Sequence, residues 1–571
     1  GAQLFHNPET LIVCRHDAEI PDAMRRLDAF IAQGCYVAGF LAYEAGWAFL
    51  DRPIPKQTPE FPLVWFGVYK TCMTAPPFQV EPQRTADQVQ WQPAQAHEEY
   101  GRSLDAIRAY IAAGDAYQVN FTFPLEARFS DDPLQWFRTL YAAQPTNHAA
   151  YLDTGRHKIL SLSPELFFQL SGQELTTRPM KGTLPRGLYP EQDEHNRRQL
   201  LDSEKDRAEN VMIVDLLRND MGKISRTNSV DVVSLFDVEK YATVWQMTSA
   251  IKSQTNASFS EIMAALFPSG SVTGAPKIRA MEIIDELEPL PRGAYCGAIG
   301  WWGPNRTASF NVAIRTITLD TRTEKALYPV GGGITWYSST EGEYAECLAK
   351  ARTVMEPSPT FSLVETMLYN GTIFLLEEHL DRLCASANFF NIPVNRAQLR
   401  ETTRLYAASL TTGHWKLRLL LHCVGTHHLE AAPINAANLS DPTNTPKTLK
   451  VTLANTPINR NNVFLYHKTT HRSVYEEARQ AHPEVDDVLL WNEAGELTES
   501  AIANIVAEVD GKLITPPTSC GLLAGVMRGH LLHTGKIQEG VIHKEDLERS
   551  GKLFLINSVR GWMQAEMQQN T

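Results

Sequence analysis

Two acidic helix faces hold the residues most able to do chemistry in the first part of this sequence. Between Asp193 and Arg218 one long helix is predicted, with Met212, Ile213, Leu216 and Leu217 standing i+3, i+4, i+7 and i+8 from Glu209, so that a carboxylate shares the apolar face. A buried unpaired carboxylate is costly and calls for a cation, a proton or a basic partner, and a helix-edge salt bridge would serve as well as a metal. A second predicted helix, Glu341 to Met355, carries Glu343, Glu346 and Lys350 at i, i+3 and i+7. Carboxylates from two helices facing one pocket suit a hard divalent cation such as Mg²⁺, whose octahedron is completed by water and an anionic substrate.

Between these helices runs Phe267-Pro268-Ser269-Gly270-Ser271-Val272-Thr273-Gly274-Ala275-Pro276-Lys277. Small residues let backbone N–H groups approach an anion at a helix start and Lys277 adds charge, although a plain strand-to-helix turn has the same composition. Ser163-Pro164-Glu165, Pro179-Met180-Lys181-Gly182-Thr183 and Gly331-Gly332-Gly333 complete the set. A lysine hemmed in by Pro and Gly is a surface charge if exposed. If buried, it loses its proton more readily and becomes a nucleophile. Near the C-terminus the informative residues are Lys468, Glu499, the helix opening Gly525-Val526 and Ser558, each of which taken singly reads as structure.

These residues must be positioned by large folding units. At roughly 150 residues per domain, the 571 residues predict about four units or fewer larger ones. Hydrophobic content of 43% with 21% charged residues excludes a disordered or fibrous chain. A formal net charge of -12 without a basic block argues against nucleic acid and anionic membrane as partners. Apolar stretches such as Tyr36 to Tyr43 fall short of the roughly 18 to 20 residues a bilayer requires, and no signal pattern opens the chain, so a soluble cytoplasmic protein is expected. The 8 cysteines form no C-x-x-C pair, which argues against a disulfide framework or zinc site, and none sits in a G-x-C-x-G nucleophile elbow. The clearest boundary is Pro357-Ser358-Pro359-Thr360, dividing a domain at 1–356 from one at 361–571. Proline-rich stretches at 75–95 and 431–462 read as further connections, the second between two lobes of the C-terminal part.

The ordered motifs S-P-E, P-M-K-G-T, E-N-x-M-I-V-D-L-L-R-N-D, F-P-S-G-S-V-T-G-A-P-K, R-G-A-Y-C-G-A-I-G, A-I-R and G-G-G-I-x(8)-E-Y-A-E-C-L-A-K-A resemble the chorismate-utilising enzymes over roughly residues 30 to 355. Within that family, anthranilate synthases have alanine where Lys181 stands, so the resemblance is to the aminodeoxychorismate synthase component I branch. It implies that Lys181 attacks the ring at C2 while Glu165 protonates the departing C4 hydroxyl, and that ammonia then enters at C4. Glu209 and Glu346 would bind Mg²⁺ on the ring carboxylate, with Glu343 close by and Lys350 in support. Arg315 and Tyr295 would hold the enolpyruvyl carboxylate with backbone around Thr273, Gly274, Gly331 and Gly333, and Lys277 would add positive charge to the pocket. Gln118 stands where the water-using relatives place a lysine base, which implies ammonia as the nucleophile. The family often has histidine where this chain has Asn210 and Gln246, so no general-acid role transfers to those positions. The missing elbow implies a separate glutaminase subunit.

Lys468 and Glu499, with Glu365-Thr366, His379-Leu380-Asp381-Arg382-Leu383, Gly525-Val526-Met527-Arg528 and Asn557-Ser558-Val559-Arg560-Gly561, resemble fold-type IV pyridoxal phosphate enzymes over nearly all of 361–571. This implies that Lys468 forms the Schiff base, that Glu499 keeps the pyridine nitrogen protonated, and that Arg382, Gly525, Val526 and Ser558 bind the phosphate. The fold class expected is α+β, an anthranilate synthase component I-like domain followed by a D-amino acid aminotransferase-like domain, with a homodimer through the second. Fusion to a domain that makes aminodeoxychorismate favours a lyase giving 4-aminobenzoate for folate synthesis. The alternatives are an anthranilate synthase fused to a transaminase, which Lys181 opposes, and a catalytically dead chorismate-binding regulator.

Overall fold

The computed structural model describes residues 2–56, 60–75, 89–241, 243–355, 361–435, 439, 448–549 and 551–568. The chain divides into two compact units, Gly1–Arg186 with Asn196–Ser358, and Gly187–His195 with Pro359–Thr571. The 357–360 linker expected from the sequence lies outside the described residues. The Gly187–His195 segment groups with the second unit, where the Tyr189 ring packs 5.4 Å from that of Tyr466.

The first unit is built on a 10-stranded sheet and a 7-stranded sheet. In the second of these, the strand Gln118–Arg128 is buried on both faces over its first six residues, its side chains alternating between an apolar and a polar side. Val119, Phe121, Phe123 and Leu125 enter the core with Tyr100, Leu104 and Ile107 of the helix His97–Ala112, while Gln118, Asn120 and Thr122 point to the opposite face. Its antiparallel partner Lys325–Ile334 sets Gly331 opposite Thr122 and Gly333 opposite Asn120. Side chains are excluded there, because a Cβ on Gly331 would lie 2.4 Å from the Phe121 carbonyl and one on Gly333 2.3 Å from Gln118 Nε2.

The single helix predicted from Asp193 to Arg218 is two helices, Pro190–Asp202 and Glu204–Gly222. Ser203 leaves the helical region (φ -68, ψ 107) and its Oγ accepts the Asp206 N–H at 3.3 Å, so an N-cap starts the second helix afresh. Asp202 to Arg207 is wholly polar, and no Gly or Pro stands between Asp193 and Arg218, so the capping serine is all that marks the break in the sequence. The Thr340–Met355 helix buries Cys347, Ala351 and Val354, leaving Glu343, Glu346 and Lys350 toward the glycine strand.

The second unit pairs Ser362–Tyr369, Trp415–His422 and His427–Pro433 in a 3-stranded antiparallel sheet, covered by the helices Leu376–Phe389 and Arg396–Ala408. An 8-stranded mixed sheet follows, in which Leu449–Leu453 runs parallel to Asp487–Trp491 and Gly561–Met567. Helices and strands are thus mixed in both units, as the α+β expectation required. No helix among the described residues is long and apolar enough to cross a membrane.

Candidate active sites

In the first unit, Lys181 sits half-buried on the strand Met180–Pro185, among Glu165, Glu209, Glu346 and Lys350. Burial, helped by the Lys350 charge, draws its ammonium below the usual lysine range despite the three carboxylates. Lys181 Nζ lies 3.2 Å and Gln118 Nε2 2.3 Å from where a Gly333 Cβ would stand, so that glycine lets both side chains approach the strand. Glu165 is 3% exposed, and burial raises its carboxyl from 4.5 to about 7 even though Ser271 Oγ donates to Oε1 at 2.6 Å. That rise is on the order of 3 kcal/mol against the charged form and makes Glu165 a proton donor near neutrality.

Glu209 accepts from Gln118 Nε2 at 3.3 Å and lies 4.0 Å from Lys205 Nζ. Burial raises its pKa, with the Lys181 charge opposing. Glu343 is likewise raised by burial, and its Oε1 accepts from Ser338 Oγ at 2.7 Å. Burial also acts upward on Glu346, but Lys350 at 2.8 Å outweighs it and the net shift is down. Lys350 Nζ donates to the Gly331 carbonyl at 3.0 Å, tying the acidic helix to the glycine strand. Among the described residues no three His, Cys, Asp or Glu side chains converge as a closed metal cage. A cation held by two carboxylates with water and substrate needs no such cage, and Glu209, raised by burial, is a carboxylate that a cation would relieve.

Arg315 adopts φ 51 and leaves Nη1 buried without a protein partner, and burial lowers its pKa. An orphaned guanidinium nitrogen is an open site for an anionic oxygen. Thr273 and Gly274 form the loop floor: the Thr273 carbonyl accepts from Asn120 N at 2.8 Å, and a Gly274 Cβ would meet the Gln118 carbonyl at 2.2 Å. Tyr295 is packed in the core, where burial pushes its phenol far up. Lys277 is not gathered with the acidic pocket as expected. Its Nζ donates to Asp220 Oδ2 at 2.6 Å and to the Leu266 carbonyl at 3.1 Å, so it pins the helix Lys277–Leu287 to the helix Glu204–Gly222. Asn210 accepts from Ser249 Oγ at 2.5 Å, and Gln246 donates to the Gly182 carbonyl at 2.8 Å, so Gln246 holds the backbone next to Lys181. Sequence reasoning assigned no role to Ser271, although its hydroxyl stood in the small-residue run.

In the second unit, Lys468 follows a loop, and its carbonyl accepts from Val364 N at 2.9 Å. Burial and then the Arg382 charge lower its pKa to about 8. Glu499 is pushed to about 7 by burial, against bonds from Tyr475 Oη at 2.7 Å, Leu523 N at 3.1 Å and Asn504 Nδ2 at 3.2 Å. Gly525 caps the helix Val526–His533, and a Cβ there would stand 1.9 Å from Asn504 Oδ1, so only glycine lets the helix start approach. Ser558 is buried and follows Asn557, whose Oδ1 accepts from Val559 N at 3.1 Å and Arg560 N at 2.8 Å. Arg382 does not present a free fork: Nε and Nη2 bind Glu365 at 2.9 and 2.7 Å, and Nη1 donates to the Ala524 carbonyl at 3.1 Å. Arg382 and His379 together draw Glu365 to about 2 against its burial. Tyr475 and Asn504 gave no signal in the sequence, since only the fold brings them to Glu499. A neutralisable lysine, a buried acid and a helix start form a donor set suited to an aldehyde cofactor with a basic ring nitrogen and a phosphate.

The family model described as chorismate binding enzyme matches residues 13–356, and that of amino-transferase class IV matches residues 362–566. Aminodeoxychorismate synthase component 1 of Klebsiella aerogenes is 42% identical over 268 residues, covering 46% of this chain and 59% of that protein. Anthranilate synthase component 1 1 of Haloarcula marismortui is 36% identical over 277 residues, covering 48% of this chain and 56% of that protein. The chain thus spans little more than half the length of these relatives. Among solved structures, anthranilate synthase component I from Streptococcus pneumoniae TIGR4 superposes with a TM-score of 0.55 at 26% identity, over 62% of this chain and 92% of that one.

Proposed function

The chain belongs to the chorismate binding enzyme family, and on that premise we propose that its first unit converts chorismate and ammonia to 4-amino-4-deoxychorismate, from which its second eliminates pyruvate to give 4-aminobenzoate. The observation that carries the first half is Lys181, an amine lowered by burial among carboxylates, beside Gly333 and the Gln118 amide. In the proposed reaction Lys181 Nζ, as the free amine, bonds to ring C2. Both ring double bonds shift, C1=C2 to C1=C6 and C5=C6 to C4=C5, and the C4 hydroxyl leaves as water with the proton from Glu165. Ammonia then bonds to C4, both double bonds return, the Lys181 amine is expelled and the new C4 ammonium returns a proton to Glu165, so chorismate and ammonia become aminodeoxychorismate and water. Gln118, neutral and engaged with Glu209, cannot deprotonate water as a lysine would, which favours ammonia. Arg315 receives the enolpyruvyl carboxylate on Nη1. Glu209 and Glu346 would hold Mg²⁺, which when bound supplies positive charge to the ring carboxylate.

In the second unit Lys468 would hold pyridoxal phosphate, Glu499 would face its ring nitrogen, and Ser558 with the Gly525–Val526 backbone would take its phosphate; the cofactor supplies the electron sink. Lys468 Nζ, lowered to about 8, is a base able to remove the ring proton whose loss yields the aromatic product. The relatives are named as component 1, which supports a glutamine-hydrolysing partner as the source of ammonia.

Two measurements test this reading. Glu209→Gln and Glu346→Gln keep the shape but remove an anionic ligand, so the Mg²⁺ concentration for half-maximal aminodeoxychorismate formation is expected to rise at least roughly tenfold. Pyruvate release from supplied aminodeoxychorismate should stay at the parent rate, and unchanged metal titrations in both variants would contradict the site. The pH profile is the second. Glu165 must be protonated, so its contribution is complete well below pH 7 and lost as pH rises through about 7. Lys181 must be neutral, so its contribution grows as pH rises through its lowered pKa. The rate should be bell-shaped. Ser271 holds Glu165 down, so Ser271→Ala should move the alkaline limb to higher pH by up to about one unit, the size of one hydrogen bond.

A further inference from the structure

The loop that receives the ring is anchored by a buried cation that the proposed chemistry does not use. Arg292 is 6% exposed and one turn of chain beyond Glu288, to which Nε donates at 2.9 Å and Nη2 at 2.7 Å. Its other donors leave the pair: Nη1 binds the Val272 carbonyl at 2.8 Å and Nη2 the Asn120 carbonyl at 2.6 Å. Val272 immediately precedes Thr273-Gly274, and Asn120 lies two residues beyond Gln118. Glu288 carries the clamp onward, accepting the Thr122 N–H at 2.8 Å, and Thr122 is the register partner of Gly331. Glu44 fixes the other end by accepting the backbone N–H of Arg292 at 2.6 Å and of Gly293 at 3.1 Å, while the guanidinium lies 4.5 Å above the Tyr43 ring.

Two backbone segments that frame the proposed chorismate pocket therefore meet on one guanidinium. We propose that Arg292 is a positioning residue for chorismate binding, which holds the Thr273–Gly274 backbone at a set distance from Gln118 by bridging the Val272 and Asn120 carbonyls from its seat on Glu288. The planar fork is what makes this workable, since a carboxylate and two carbonyls in different directions require a rigid set of donors that a lysine ammonium cannot supply together. The inference rests on the chorismate reading of this pocket.

Steady-state kinetics of the whole chain with chorismate, ammonium and Mg²⁺ test it. Arg292→Lys keeps the charge but loses the bridge, so the KM for chorismate is expected to rise roughly tenfold or more while kcat at saturation stays within about threefold. Release of pyruvate from supplied aminodeoxychorismate should be unaffected. Glu288→Gln keeps an acceptor for Thr122 and weakens the seat, and should raise KM in the same direction by a smaller factor. If Arg292→Lys fails to fold, Glu288→Gln decides on the same criterion. An unchanged KM, or a fall in kcat with KM unchanged, would overturn the positioning role. A parent chain that makes no aminodeoxychorismate would instead overturn the chorismate reading, and that control is measured before either variant.

Discussion

Lys181→Ala is expected to lower aminodeoxychorismate formation at least roughly a thousandfold, about 4 kcal/mol of barrier, because Lys350, the neighbouring amine, is engaged with Glu346 at 2.8 Å and the Gly331 carbonyl at 3.0 Å. The substitution removes a half-buried amine among carboxylates, so the chain must also be shown to fold; intact pyruvate release from supplied aminodeoxychorismate is the internal check. With the parent chain, mass spectrometry after quenching should find a chorismate-derived adduct on the peptide carrying Lys181 and none in the variant. An adduct on another lysine would remove the assignment. Burial helps here by lowering the Lys181 pKa, and Glu165, raised to about 7, remains partly protonated at the same pH. An amine and an acid whose environments push their pKa values toward each other can both be in the reactive form near neutrality.

Lys468→Ala is expected to stop 4-aminobenzoate formation by a similar factor and to let aminodeoxychorismate accumulate, with the synthase rate unchanged. The amine it removes is held near 8 by burial and by Arg382, and no second lysine is described beside Glu499. Mixing the Lys181→Ala and Lys468→Ala chains should restore 4-aminobenzoate if the intermediate diffuses between molecules; failure to restore it would indicate transfer within one assembly. A transaminase in the second unit makes a different forecast, exchanging amino groups between amino acids and 2-oxo acids. Unchanged 4-aminobenzoate output from Lys468→Ala would end the lyase reading.

Much of this was legible because the chemistry is carried by short motifs whose residue types are themselves informative. Glu209 could be placed on an apolar helix face from spacing alone, and the structure puts it on the helix where Ile213 and Leu217 are buried. The break at Ser203 was hidden, since no Gly or Pro marks it and a capping serine in a polar stretch resembles any polar surface position. Lys277 shows a second limit. Its place beside a small-residue loop suggested an anion ligand, yet Asp220 from another helix claims its ammonium, and no local pattern reveals a partner so far along the chain. Arg382 is similar: the motif marked it, but Glu365 takes its Nε and Nη2 and the Ala524 carbonyl its Nη1. Residues that tune others, such as Ser271 on Glu165 and Tyr475 on Glu499, depend on contacts between distant segments and have no periodicity to find.

The central claim is that amination occurs at ring C4 and that the product is carried on to an aromatic amine. The most direct test supplies the whole chain with chorismate, ammonium, Mg²⁺ and pyridoxal phosphate and identifies the aminobenzoate isomer by chromatography and mass spectrometry. The account predicts 4-aminobenzoate and pyruvate in equal amounts, with no 2-aminobenzoate; formation of 2-aminobenzoate as the main product would contradict it.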